Sequence, residues 1–142
     1  MQSTATFLAL DVGERRIGVA LADAGVRFAQ PLTTLETSTD ILAQIQKLID
    51  EHRVATVVVG LPRGLDGQET AQTRAVKTFV ENLKQHTEVP IVWQDEALTS
   101  VKAEAELTSR DKHGVYNKSD VDALAATYIL EDFIAEHSRG DT

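Results

Sequence analysis

The first twenty-two residues leave the chain little freedom. Two apolar runs, residues 7–11 and 17–22, are separated only by Val12-Gly13-Glu14-Arg15-Arg16. A gap that short, with a glycine in it, must turn the chain back on itself, so the two runs read as an antiparallel hairpin. Gly18 inside the second run predicts a bulge or a close backbone approach. Residues 26–35, around Pro31, supply a third and shorter strand.

The pattern then changes from adjacent strands to alternation. Asp40 is placed to cap a helix through about Glu51, with Ile41, Leu42, Ile45, Leu48 and Ile49 on one face. The β-branched run 56–60 reads as a central buried strand. A loop follows over 61–67, then a second amphipathic helix marked by Ala71, Ala75, Val76, Phe79, Val80 and Leu83. Pro90 precedes a strand over 91–94, in which Trp93 is expected in the core rather than as a base-stacking platform. Thr99 or Ser100 can cap a helix to about Leu107. Residues 109–117 are polar and read as a mobile loop, and Ser119 is placed to cap a last helix with Val121, Leu124, Ala125, Ile129 and Phe133 inward. The order β-β-β-α-β-α-β-α-α predicts an α/β fold, a mixed sheet flanked by helices.

Length and composition narrow the class. At 142 residues with 42% hydrophobic content, residues 1–142 are expected to form a single domain. The chain has no cysteine, which excludes disulfides and thiolate metal sites. The N-terminus lacks a signal-peptide pattern and no apolar stretch approaches a membrane span, so a cytoplasmic protein with no membrane partner is expected. A net charge of −8 argues against a broad basic face for phosphate backbones. It argues less against a nuclease whose bound metal offsets its own carboxylates.

Three separated acids carry the chemistry. Asp11 ends the first strand, Glu96 follows the strand over 91–94, and Asp122 lies near the start of the last helix. Acids at the rim of an α/β sheet can converge although they are distant in sequence. Converging carboxylates repel one another unless a cation lies between them, and they suit Mg²⁺ or Mn²⁺. Each acid also has a plainer reading. Asp11 could be a turn former between strands. Glu96 competes with Asp95, and either could favour a helix N-terminus. Asp122 lies three residues after Ser119, which is capping-box spacing. Against that, Ala123, Ala125 and Ala126 are small enough to let the helix approach the sheet.

The loop at 60–67 could place Arg63 and backbone N–H groups near a phosphate, although it lacks the Lys-Ser/Thr ending of a Walker loop. Arg110, Lys112 and Lys118 bracket the 109–117 loop as solvated charge or as a nucleic-acid contact. The four histidines show no zinc-ligand spacing.

Taken together, four ordered motifs resemble the YqgF family, also called RuvX or Holliday-junction-resolvase-like. They are Ala9-Leu10-Asp11-Val12-Gly13 with Arg16-Ile17-Gly18-Val19-Ala20; Val59-Gly60-Leu61-Pro62 with Asp66-Gly67; Asp95-Glu96 with Leu98-Thr99-Ser100; and Lys118 with Val121-Asp122-Ala123, Ala125-Ala126 and Ile129-Leu130. The resemblance spans Phe7 to about Phe133. It implies an RNase H-like fold, a five-stranded mixed sheet flanked by helices. It also implies a nuclease maturing the precursor of 16S ribosomal RNA, with Holliday junction cleavage as an alternative. Carried over by motif, the catalytic, metal-binding acids fall on Asp11, Glu96 and Asp122, and substrate contacts on Arg16, Arg63 and Lys118. The family pattern has Arg after the Asp-Glu pair where this chain has Ala97, a departure that bears on substrate contact rather than fold.

The expected mechanism is two-metal hydrolysis of a phosphodiester, with Asp11 as the shared ligand because its strand is central in such a sheet. RNA is the favoured nucleic-acid partner, a DNA junction the alternative, and both monomer and homodimer stay open. Two rivals stand beside this reading: an actin-like ATP-using protein, disfavoured by length, and a non-catalytic RNA-binding factor in ribosome assembly or transcription.

Overall fold

A computed structural model describes residues 6–23, 28–62, 69–96 and 118–138, the side chains of Glu96, Lys118, Ser119, Asp120, His137 and Ser138 excepted. The strands are β1 (Thr6–Val12), β2 (Arg16–Asp23), β3 (Phe28–Glu36), β4 (Val54–Pro62) and β5 (Ile91–Glu96). The described helices are α1 (Ile41–His52), α2 (Ala71–Lys84) and α3 (Lys118–Ser138). The expected helix to about Leu107, the 109–117 loop, Arg63 and Ala97 all lie outside the described residues.

The sheet order is β3-β2-β1-β4-β5. The first three strands form an antiparallel meander, while β4 and β5 run parallel to β1. The hairpin turn closes through Gly13 N–H donating to the Arg16 carbonyl at 2.9 Å. Pro31 is tolerated because β3 is an edge strand, and the β2–β3 register slips between Val19 and Ala20 opposite it.

Strand alternation sends side chains to two unlike faces. Leu8, Leu10, Ile17, Val19, Val57 and Val59 meet the buried Ile41, Ile45 and Ile49 of α1 and Val76, Val80 and Leu83 of α2. The opposite face is built of small groups, Ala9, Ala20 and Ala22 beside Val58, and receives Ala126, Ile129, Leu130 and Phe133 of α3. Phe7 and Phe133 close that layer edge-to-face, with centroids 5.5 Å apart.

Several local expectations change. Ala71 and Ala75 are exposed, and α2 instead buries Thr73. The Thr73 hydroxyl donates to the Pro62 carbonyl at 2.6 Å and its backbone N–H donates to the Thr70 side chain, a capping box that ties the start of α2 to the end of β4. Leu61 and Pro62, expected in a loop, extend β4. Asp40 does sit at the N-cap of α1, but its carboxylate accepts from Ser38 and Gln44 rather than from the helix backbone. Trp93 is 37% exposed, contrary to the core placement expected for it. It lies on an edge strand, on the α1/α2 face, beyond the cover those helices give. The last helix begins at Lys118, which puts Ser119 inside its first turn instead of at the cap.

Candidate metal-binding active site

Asp11 lies one residue from the end of β1, the central strand, and its cross-strand partner in β2 is Gly18. Alternation puts Asp11 on the same face as Ala9, under α3. Gly18 explains how α3 comes so near. A Cβ at that position would collide with the backbone carbonyl of Asp122 and come within 2.9 Å of the Ala123 amide nitrogen. The missing side chain of Gly18 is therefore the space that seats the start of α3, and it brings the carboxylate of Asp122 beside that of Asp11.

The electrostatics follow from this juxtaposition. Burial first, and then the negative charge of Asp122, push the Asp11 carboxyl up from 3.8 to about 6. Asp122 has a cation of its own: Arg16 Nε donates to its Oδ2 at 2.6 Å. Asp122 is the fifth residue of α3, and its carboxylate spans to Arg16 of β2. No cation pairs with Asp11 among the described residues.

Glu96 is placed by its backbone alone. It closes β5 opposite Pro62, and because β1, β4 and β5 are parallel, it stands at the same edge of the sheet as Asp11. Its neighbour Asp95 shares the strand face of Trp93, away from α3. Gln94, on the α3 face, donates from Nε2 to Glu136 Oε2 at 2.8 Å and fastens β5 to that helix. Asp95 is thus on the wrong face to join Asp11 and Asp122. The described residues assemble the pair Asp11–Asp122, and among them no cluster of three His, Cys, Asp or Glu groups is complete.

Of the expected substrate contacts, Arg16 sits at the first position of β2 and is engaged with Asp122, while Lys118 is the first residue of α3. Arg15, not singled out from sequence, lines a cleft of about 220 Å³ together with Gly13, Glu14, Arg16 and Asp122. Its signal was available in the consecutive arginines of a turn that faces an acid. On the other side of the same turn, a larger cavity of about 670 Å³ is lined by Val12, Ile17, Ala75, Val76 and Phe79 among others.

Comparison with known proteins gives the family and the fold. The family profile RuvX, described as Holliday junction resolvase, matches residues 5–136. The chain belongs to the RuvX family. A RuvX relative from Chloroflexus aurantiacus is 43% identical over 129 residues, covering 89% of this chain and 84% of the relative. Another, from Thiobacillus denitrificans, is 42% identical over 134 residues, covering 93% and 92%. Both carry the name "Putative pre-16S rRNA nuclease". Among solved structures, Thermus thermophilus RuvC in complex with a Holliday junction substrate superposes with a TM-score of 0.58 at 18% identity, covering 95% of this chain and 96% of that one. The fowlpox virus resolvase in complex with Holliday junction DNA gives 0.56 at 6% identity, covering 93% and 98%. At such identities these structures establish the fold, which is RNase H-like.

Proposed function

We propose that this RuvX-family protein is a metal-dependent nuclease that hydrolyses phosphodiester bonds of RNA, in maturation of the 5′ end of the 16S rRNA precursor. The observation that carries the reading is the pairing of Asp11 with Asp122 under α3, at one end of a resolvase-type sheet. Of these two carboxylates Asp122 is paired with Arg16, whereas Asp11 is pushed up to about 6 by burial and by the charge of Asp122. An all-oxygen donor set of that kind fits Mg²⁺ or Mn²⁺. Asp11 and Asp122 would hold the metal, with Glu96, at the end of β5 on the same edge of the sheet, as a third ligand. When bound, the metal supplies Lewis-acid stabilisation of the phosphoryl oxygens and a water nucleophile at neutral pH.

The protein's own part is positioning. The central strand fixes Asp11, Gly18 fixes the backbone that carries Asp122, and Arg15 and Arg16 flank the cleft through which a phosphate would approach. Arg63 and Lys118 are proposed as further phosphate contacts, which set register without reading sequence. No described helix is long and apolar enough to cross a membrane. A cytoplasmic site of action fits the rRNA maturation named for the relatives.

The substrate is tested by competition between a labelled RNA spanning the 5′ end of the 16S precursor and a labelled four-way DNA junction, each with Mg²⁺. Preferential cutting of the RNA at the mature end supports the reading. Paired symmetric cuts in the junction, with the RNA left intact, would reassign the protein to junction resolution.

A further inference from the structure

The assignment of Asp11 and Asp122 as metal ligands leaves one bond without a role. Arg16 Nε donates to Asp122 Oδ2 at 2.6 Å and so takes up one oxygen of a carboxylate that would also serve a metal ion. A guanidinium and a divalent cation compete for the same lone pairs, and each raises the other's cost through charge repulsion. We propose that Arg16 is a built-in counter-ion: it holds Asp122 while the site is free of metal, is displaced from that carboxylate by the incoming divalent ion, and then meets a phosphate of the nucleic acid. The inference rests on the metal-site reading above.

Three features say which partner moves. The backbone of Asp122 seats in the space left by Gly18, and the α3 residues that follow it, Ala126, Ile129, Leu130 and Phe133, are packed on the sheet, which fixes that main chain beside β2. Arg16 is held by its backbone in the β2–β3 ladder opposite Glu36, so what is left to it is rotation of its long side chain. That rotation is open, since the side chains of Arg16 and Asp122 keep 32% and 23% of their exposure and both border the cleft lined by Gly13, Glu14 and Arg15.

Charge supplies the driving force. Asp11 and Asp122 carry two negative charges when ionised, and a divalent cation balances them. The ion brings twice the charge of Arg16 to the ligand carboxylates, so it outcompetes the guanidinium there and leaves it for a phosphodiester. Arginine suits this exchange because it is permanently charged and its planar fork binds carboxylate and phosphate alike. Such a residue couples the two ligands: metal binding frees the group that engages substrate, and substrate, by holding that group, favours the metal.

The experiment is Mn²⁺ binding by calorimetry, without nucleic acid, on wild type, Arg16→Gln, Arg16→Lys, Asp11→Asn and Asp122→Asn. Removing the competing charge should let Arg16→Gln bind Mn²⁺ roughly tenfold tighter than wild type. Arg16→Lys keeps the charge and should stay near the wild-type affinity. At saturating Mn²⁺, Arg16→Gln should nonetheless cut RNA on the order of tenfold or more slowly, because the phosphate contact is gone. Affinity and cleavage moving in opposite directions is the signature of exchange.

If Arg16→Gln binds Mn²⁺ no tighter than wild type while Asp11→Asn loses binding, Arg16 merely orients Asp122: the exchange is wrong and the metal site stands. If wild type and Asp11→Asn bind alike, or neither binds, the metal-site reading fails and the exchange with it. Wild type also gives a direct readout that needs no substitution. The Arg16 Nε–H resonance should shift on titration with Mg²⁺, and a signal that stays fixed at saturation would overturn the proposal.

Discussion

The backbone carbonyl of Asp122 lies against Gly18, so closely that no side chain fits between β2 and the start of α3. This contact, more than any hydrogen bond, sets where the Asp122 carboxylate stands relative to Asp11, whose cross-strand partner is the same glycine.

Gly18→Ala should therefore damage fold and site together. The obstacle is backbone on both sides, which cannot rotate away. The expected cost is about 3 kcal/mol, at the upper end for overpacking, with weaker Mn²⁺ binding even where the protein remains folded. Gly60→Ala offers a contrast. There the nearest obstacle to the added methyl is the side chain of Ile129, whose terminal methyl can shift where backbone cannot. Chemical denaturation of the two variants should show Gly18→Ala as clearly the less stable, and equal losses would mean that the α3 contact is softer than described.

Asp11 predicts a pH dependence of stability in metal-free protein. Its folded-state value, about 6, lies above the ordinary 3.8. Folding thus favours the protonated acid, and that contribution is whole below about pH 4 and is lost as the pH rises through about 6. Asp11→Asn removes the penalty of the ionised form. Without metal, the variant should be more stable than wild type by on the order of 2–3 kcal/mol at pH 7.5 and indistinguishable from it near pH 3.5. Denaturant titrations at the two pH values check this, and added Mg²⁺ should stabilise wild type but not Asp11→Asn. A variant less stable than wild type at pH 7.5 would show that Asp11 is not held against its charge.

Much of this was legible in sequence because it rests on short-range patterns. The hairpin, the β-branched strand and the amphipathic face of α1 follow from period and turn chemistry, and Gly18 marked the close approach before its partner was known. The three acids stood out as polar groups at the ends of apolar runs. What stayed hidden depends on neighbours far along the chain. Trp93 looked like core because an apolar ring in a strand usually is, and only the sheet order shows that β5 is an edge. Asp122 looked like a cap because Ser119 stands three residues before it, while its actual partner, Arg16, is 106 residues away. Thr73, polar and unremarked, is buried because the Pro62 carbonyl waits above it.

That last contact yields a stability prediction. Thr73→Val keeps the shape and removes the hydroxyl that serves Pro62 and the capping box. Leaving a partly buried carbonyl unserved should cost about 1–2 kcal/mol, readable as a lowered denaturation midpoint at unchanged slope. Because Pro62 ends β4 opposite Glu96, cleavage should fall as well, whereas Thr73→Ser should stay close to wild type in both measurements. A neutral Thr73→Val would mean that water replaces the hydroxyl at no cost.

The most direct test is cleavage of a labelled precursor 16S rRNA fragment, with and without Mg²⁺ or Mn²⁺, by wild type, Asp11→Asn and Asp122→Asn, each shown to be folded by circular dichroism. If the two carboxylates hold the catalytic metal, wild type cuts only with metal and each variant loses most of that activity, on the order of 100-fold or more. Wild-type turnover by a folded Asp11→Asn, or cutting by wild type that persists in chelator, would contradict the assignment of this site.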